Sequence, residues 1–211
     1  MILTHYPVIS EPLLQVNGGS YQGRILLQLL RNDITCCCMG SRYDCSRYAA
    51  QDWIAEKLEL AGVSVVEETG SYQRDGKNSS CGFGRIGHFK KARTIDEICR
   101  MLQESLGERS LRIAVQPEKR DLQITEVAVT EGLQNLEAAA DKGAEVILTK
   151  GLTTADWVQI SRKKQTVIEI SDRPTEEAFL ESMEQYLGEV LSSEVEIVTA
   201  EYRKLYEIVN I

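Results

Sequence analysis

Four side chains in this sequence have types and positions that could do chemistry together: His5, Asp44, Asp172 and Glu176. His5 closes the apolar run Ile2-Leu3-Thr4 and precedes Tyr6-Pro7, the pattern of a strand that hands a histidine to a loop. Asp44 ends the polar stretch Gly40-Ser41-Arg42-Tyr43-Asp44, which follows an apolar run at 34–38, so it shares the strand-end level with His5. One reading makes His5 a lone imidazole hydrogen-bonded at a loop entrance; the other makes the pair part of a site. Asp172-Arg173-Pro174-Thr175-Glu176 places one carboxylate at a strand end and a second on the first turn of the next helix. Locally, Asp172 is then a cap and Glu176 a first-turn partner of the helix dipole. Functionally, they are a carboxylate pair for a hard or borderline metal ion.

A faint internal echo links the two constellations. Ile2-Leu3-Thr4-His5 precedes a loop, a helix, a strand and Asp44, and Ile147-Leu148-Thr149-Lys150 precedes the same series and Asp172. Ligands of open α/β sheets sit beyond the carboxyl ends of strands, so two such half-sites facing each other would make one cleft. Chance recurrence of a βαβ unit accounts for the echo equally well.

Other chemistries are excluded by context. Gly82-Phe83-Gly84-Arg85-Ile86-Gly87 matches G-x-G-x-x-G, yet residues 70–80 read as a mobile loop and the next helix begins only after Thr94. The glycines therefore cannot present a helix N-terminus to a pyrophosphate. There is no P-loop, G-x-S-x-G elbow or H-E-x-x-H. His88, beside Phe89, Lys90 and Lys91, reads as structural or solvated on an exposed strand. Of six cysteines, Cys36-Cys37-Cys38 ends the run at 34–38 and behaves as buried small hydrophobes; no second Cys or His pair follows at zinc spacing.

The elements that must carry these residues follow from periodicity. Helices are expected at 23–30, 46–60, 133–143, 153–164 and 174–191, and after the capping box Thr94-Ile95-Asp96-Glu97 up to Leu106-Gly107. Strands are expected at 2–4, 34–38, 63–67, 111–115, 124–130, 145–149, 166–170 and 195–198. Strands alternating with helices mean an α/β fold. We read two α/β lobes with mixed sheets flanked by helices, residues 1–110 and 111–211, with a metal cleft between them.

Composition narrows the classes further. With 43% hydrophobic residues and only 4 Pro, the chain is neither disordered nor collagenous. No apolar run is long enough for a membrane span, and the N-terminus lacks the basic and apolar regions of a signal peptide, so the expected compartment is the cytoplasm, with its cysteines reduced. Lys plus Arg is 24 against 32 acidic residues, a net charge of −8 that repels phosphate backbones and argues against nucleic acid as a partner. The basic clusters at 88–93 and 162–164 read as solvated surface, the latter at a helix end where cations suit the dipole.

In order along the chain, the motifs resemble the NIF-three-like dinuclear metal-centre family, often labelled GTP cyclohydrolase I type two homologues. The matching stretches are Ile2-Leu-Thr-His-Tyr-Pro7 and Gly23-Arg-Ile-Leu, then Ser41-Arg-Tyr-Asp44 and Gly82-Phe-Gly-Arg-Ile-Gly87. Ala144-Glu-Val-Ile-Leu-Thr149 and Val167-Ile-Glu-Ile-Ser-Asp-Arg-Pro-Thr-Glu176 complete the series. The resemblance implies two divalent metals between two α/β halves and a toroidal hexamer. Carried over, the metal ligands are His5, Asp44 and Glu176, with Asp172 standing where the family has a histidine. The departures are specific. Tyr6 replaces the second histidine, and the family's acidic residue and histidine after the Ile-Leu-Thr strand are lost within Lys150-Gly-Leu-Thr-Thr-Ala155. The family also carries a strand–helix unit before the His-x-Pro motif at which this chain begins, so a shortened member is expected.

Two functions follow from the resemblance. In the first, His5, Asp44, Asp172 and Glu176 hold a divalent ion (Zn, Mn or Fe; one or none rather than two) that activates water for hydrolysis of GTP or another phosphate-bearing small molecule. In the second, the protein is a non-catalytic oligomeric scaffold or regulatory protein that has lost the metals.

Overall fold

The computed structural model describes residues 1–74, 77–107, 110–133, 135–191 and 195–200. Contacts divide the chain into two compact units, Met1–Asp44 and the residues from Cys45 onward. In the first, strands β1 (Ile2–Thr4) and β2 (Cys36–Cys38) pair in parallel, Ile2 opposite Cys36 and Thr4 opposite Cys38. A parallel pair needs a crossover, and helix α1 (Tyr21–Arg31) supplies it, opened by Ser20, whose Oγ accepts the Gly23 amide at 2.9 Å. A single turn, α2 (Ser41–Asp44), follows. The run at 34–38 was expected to be buried, but Cys37 and Cys38 are exposed. A three-residue strand paired on one side has too few neighbours to cover its side chains.

The second unit is a six-stranded mixed sheet with helices on both faces, in the order β3-β4-β6-β7-β8-β5. Helix α3 (Ala50–Lys57) leads into the antiparallel pair β3 (Ala61–Arg74) and β4 (Lys77–Arg93). Helix α4 (Ile95–Leu106), β5 (Arg112–Ala114) and a 3-10 turn (Pro117–Lys119) follow. Then β6 (Ile124–Val129), α5 (Leu136–Asp141), β7 (Val146–Thr149), α6 (Thr154–Lys163), β8 (Val167–Glu169) and α7 (Arg173–Leu191) alternate. Strands β6, β7 and β8 are parallel neighbours; β5 joins β8, and β4 joins β6, in antiparallel fashion.

These three parallel strands read as near-continuous apolar runs because they are buried on both faces. Val127, Val129, Val146, Leu148, Ile168 and Ile170 point into one core, with Ile95, Ile98, Leu102 and Leu106 of α4, Ile54 of α3 and Leu58 just past its end. Ala128, Ile147 and Val167 point into the other, with Leu136 and Ala139 of α5 and Ile160 of α6. No helix among the described residues is long and apolar enough to cross a membrane.

The capping box at Thr94 forms as the sequence predicts, and Thr153 with Asp156 makes a second one. Thr94 accepts the Glu97 amide while the Glu97 carboxylate accepts the Thr94 amide at 2.8 Å, and Gly107 closes α4 in the left-handed region. The bond from Thr94 holds the Glu97 carboxyl below its ordinary value. A carboxyl lowered on folding stabilises the protein above its unfolded pKa, and that contribution is lost as pH falls through the folded value. Thr94→Ala removes the hydroxyl that accepts the Glu97 amide and is expected to cost about 1 kcal/mol in urea unfolding, the usual cost of losing an N-cap. The main bond to the carboxylate comes from the Thr94 backbone amide, which alanine keeps, so this cost should change little on acidification; a cost that vanishes at low pH would mean that the hydroxyl acts chiefly through Glu97.

Three expectations are corrected. Residues 70–80 are not a loop: β3 and β4 continue through them, pairing Gly70 with Cys81 and Tyr72 with Ser79, since a ladder partner supplies the hydrogen bonds that local propensity does not. Asp75 and Gly76, inside that segment, lie outside the described residues. The helix expected at 46–60 begins only at Ala50, because Ala49 is extended (ψ 152°) and the Ser46 carbonyl is taken by Arg85. Residues 195–198 form no strand; they lack a ladder partner among the described residues.

Candidate functional site

The four side chains singled out from the sequence are split between the units, His5 and Asp44 in the first, Asp172 and Glu176 in the second. His5 leaves β1 where the backbone is pinned to the other strand's end, Met39 donating to the Thr4 carbonyl and Gly40 to that of His5, both at 2.9 Å. Its ring is 4% exposed, lies edge-on to Tyr43 with centroids 5.0 Å apart, and stacks at a tilt on Tyr6 at 4.3 Å. Nε2 meets Oδ1 of Asp44 at 2.8 Å. Strand-end pairing thus delivers the imidazole and the helical turn α2 delivers the carboxylate, a contact common to the lone-imidazole and half-site readings of His5.

In the second unit the chemistry lies beyond the carboxyl ends of β6, β7 and β8. Lys150 follows β7 and is buried, with 5% exposure. Its Nζ lies 3.0 Å from Oε1 of Glu131, donates to Oγ1 of Thr175 at 3.0 Å, and is 4.0 Å from Oδ1 of Asp172. Gln51, on α3 and also buried, donates from Nε2 to Oε2 of Glu131 at 3.3 Å. Thr175 donates to the Asp172 carbonyl at 2.6 Å, and the Glu176 amide to the same oxygen at 3.1 Å, which opens α7. Asp172 therefore caps α7 through its backbone and keeps an exposed carboxylate. Sequence reasoning missed Glu131, Gln51 and Thr175. The parallel register was the missing information: Val127 pairs with Val146 and Val129 with Leu148, so the ladder continued puts Glu131 opposite Lys150.

A third polar centre organises the Gly82–Gly87 motif, which lies within strand β4 rather than at a helix start. Arg85 is buried and uses its whole guanidinium. Nε donates to Oδ1 of Asp52 at 2.8 Å, Nη1 to the carbonyls of Gly82 and Gly84 at 2.8 and 2.9 Å, and Nη2 to that of Ser46 at 2.6 Å. The glycines let strands approach. A Cβ on Gly82 would stand 2.0 Å from the Glu67 carbonyl oxygen, and Gly84 has φ +66° against Val66. The motif is thus a structural staple.

A model of the family described as Duf34/NIF3 (NGG1p interacting factor 3) matches residues 1–204. The chain belongs to the Duf34/NIF3 family. It is 26% identical over 209 residues to a GTP cyclohydrolase 1 type 2 homolog of Clostridium perfringens, covering 97% of this chain and 75% of that one. A homolog of the same name from Clostridium acetobutylicum is 22% identical over 151 residues, covering 71% of this chain and 53% of that one. Staphylococcus aureus protein SA1388 shares the Duf34/NIF3 fold with TM-score 0.83 at 14% identity, over 99% of this chain and 80% of that one. So does a Bacillus cereus protein related to NIF3, with TM-score 0.83 at 15% identity, over 99% and 83%.

The two-metal centre that the resemblance implies is a poor fit to these side chains. Bridged ions roughly 3.5–4 Å apart need several shared anionic or imidazole ligands. Among the described residues no group of three or more His, Cys, Asp or Glu side chains is arranged to hold a metal. Tyr6 stands in the second histidine's position, and the Glu131 carboxylate already faces an ammonium.

Proposed function

We propose that this Duf34/NIF3 chain is a non-catalytic, homo-oligomeric scaffold or regulatory protein whose polar sites are neutralised by its own side chains rather than by two metals. The observation that carries this reading is the buried Lys150 ammonium, 3.0 Å from Glu131 and 4.0 Å from Asp172, where a divalent ion would meet like charge. Its working compartment is the cytoplasm, which suits six thiols of which none is in a disulfide. The hexamer implied by the family resemblance is the assembly we expect, with a sedimentation or light-scattering mass near six chains.

A second reading has its own support. The part-buried His5–Asp44 pair, 2.8 Å apart, is the kind of imidazole–carboxylate contact from which a single-metal site is built. In that reading His5, Asp44, Asp172 and Glu176 hold one ion for hydrolysis of a small phosphate-bearing substrate such as GTP. Metal analysis of protein purified without chelators separates the two. We expect less than about 0.2 metal per chain and no thermal shift with Mn²⁺ or Zn²⁺. About one ion per chain, with a stabilising shift and hydrolysis of GTP, would establish the second reading and end the first.

A further inference from the structure

We propose that the groove between α3 and α7 is the docking site of the chain's own C-terminal segment, residues 201–211, held through the Arg203-Lys204 pair. The groove has a volume of about 530 Å³ and lies between two helices that pack against each other. Its walls carry two aromatic rings, Tyr48 and Trp53, and four carboxylates, Asp52, Glu56, Glu59 and Glu181. None of these belongs to the polar centre at Lys150 or to the His5–Asp44 pair, so the inference holds whether or not the protein binds a metal. Three observations carry it.

First, the groove is acidic and its walls already stack cations. The Lys57 ammonium lies 4.8 Å from the centroid of Trp53, and the Arg47 guanidinium 4.5 Å from that of Tyr48. Asp52 is engaged by Arg85, and Glu181 accepts the Trp53 indole N–H at 2.9 Å. Glu56 and Glu59 add two exposed carboxylates to the same lining. Such walls suit a basic segment that also brings aromatic rings. Second, the chain is led there. Helix α7 ends at Leu191, yet Thr199 donates from Oγ1 to Oε2 of Glu184 at 2.7 Å, so the chain has turned back along the helix. Glu184 stands three residues from Glu181, and side chains at that spacing are neighbours on a helix surface, roughly 5–6 Å apart. Extended chain advances about 3.3–3.6 Å per residue, so the first few residues after Thr199 reach the groove. Third, the sequence at that reach is complementary. Tyr202, Arg203, Lys204 and Tyr206 follow Ala200, two cations and two aromatic rings for a lining in which carboxylates outnumber cations. Exposed ion pairs are individually weak, and the tether at Thr199 compensates by presenting the segment at high effective concentration.

The test uses the full chain carrying Trp157→Phe, which leaves Trp53 as the sole tryptophan and makes its emission a report on the groove. Acrylamide should quench Trp53 more readily once Arg203→Glu and Lys204→Glu are introduced together. In about 1 M salt, where the screening length falls to about 3 Å, the parent should lose its protection to the level of that variant. Adding Glu56→Lys and Glu59→Lys to the reversed segment should restore the protection, and so should a synthetic peptide of residues 201–211 added to the chain with the reversed segment. If Trp157→Phe folds poorly, amide hydrogen exchange across α3, measured with both tryptophans present, carries the same comparison. Quenching and exchange that ignore the charge reversal overturn the proposal. So does failure of the second reversal to restore protection, which would place the segment elsewhere. Protection that does not change on dilution supports docking within one chain; protection lost on dilution assigns the groove to a second copy's segment and overturns it.

Discussion

Arg85→Met is expected to destabilise the protein by about 3–5 kcal/mol, the cost of breaking a buried charged pair by removing one partner. The side chain is 4% exposed and satisfies the carbonyls of Ser46, Gly82 and Gly84 as well as the Asp52 carboxylate. Methionine fills the space and leaves all of these unpaired, at about 1–3 kcal/mol for each acceptor that water cannot reach. Asp52 is about a third exposed and can recruit water, so the carbonyls carry most of the cost. A lower urea midpoint with unchanged slope would report it, as would a melting temperature reduced by about 10 °C. Lys at this position offers three donors without the planar fork and should recover only part of the loss.

The same variant carries a pH signature. Burial pushes the Asp52 carboxyl up, against the lowering pull of the hydrogen bond and charge from Arg85 and of the charge on Arg47. Without Arg85 the carboxyl rises further. A group raised on folding contributes stability below its unfolded pKa and loses it as pH rises through the folded value. The penalty of Arg85→Met should therefore be largest at neutral pH and should shrink on acidification as Asp52 takes up a proton. Equal penalties at both pH values would show that Asp52 contributes nothing to the cost.

Gly82→Ala is the second large effect, of at least about 3 kcal/mol. Its Cβ would stand 2.0 Å from the Glu67 carbonyl oxygen and 2.8 Å from Cγ1 of Val65. The first obstacle is backbone, paired in register with this strand, so relief requires β3 and β4 to separate where Glu68 faces Gly82. The Gly82 amide also donates to the Cys45 carbonyl at 2.9 Å, and a shift would strain that bond as well. Gly188→Ala in α7 is the control. Nothing lies within 4 Å of its Cβ, and alanine favours a helix over glycine by about 1 kcal/mol. Urea midpoints that fall for Gly82→Ala and hold or rise for Gly188→Ala are expected. Equal changes in both would refute the close-approach account of the motif.

Arg85 and Gly82 show why G-x-G-x-x-G could be rejected as a phosphate loop from the sequence while its structural role could not be read there. The late start of the next helix is a local fact. Arg85's partners lie on Ser46 and Asp52, far along the chain, and only packing brings them in. The hairpin at 70–80 is a similar case. Its polar, glycine-rich composition reads as loop, and only the ladder between β3 and β4 makes it strand.

What the sequence determined by itself was whatever is encoded over a few residues. The apolar runs of β6, β7 and β8, the capping box at Thr94, and the strand-end level of His5 and Asp44 were all legible. Each rests on a periodicity or a short hydrogen-bonded spacing that the chain carries locally. The tertiary structure alone decided which charges meet. Glu131 faces Lys150 because two parallel strands, joined through a helix, settle into one register to bury their apolar faces, and a slip of one residue would turn each side chain to the other face. That choice is made by the packing of Val127, Val129, Val146 and Leu148 against α3 and α4, and no short stretch of sequence contains it.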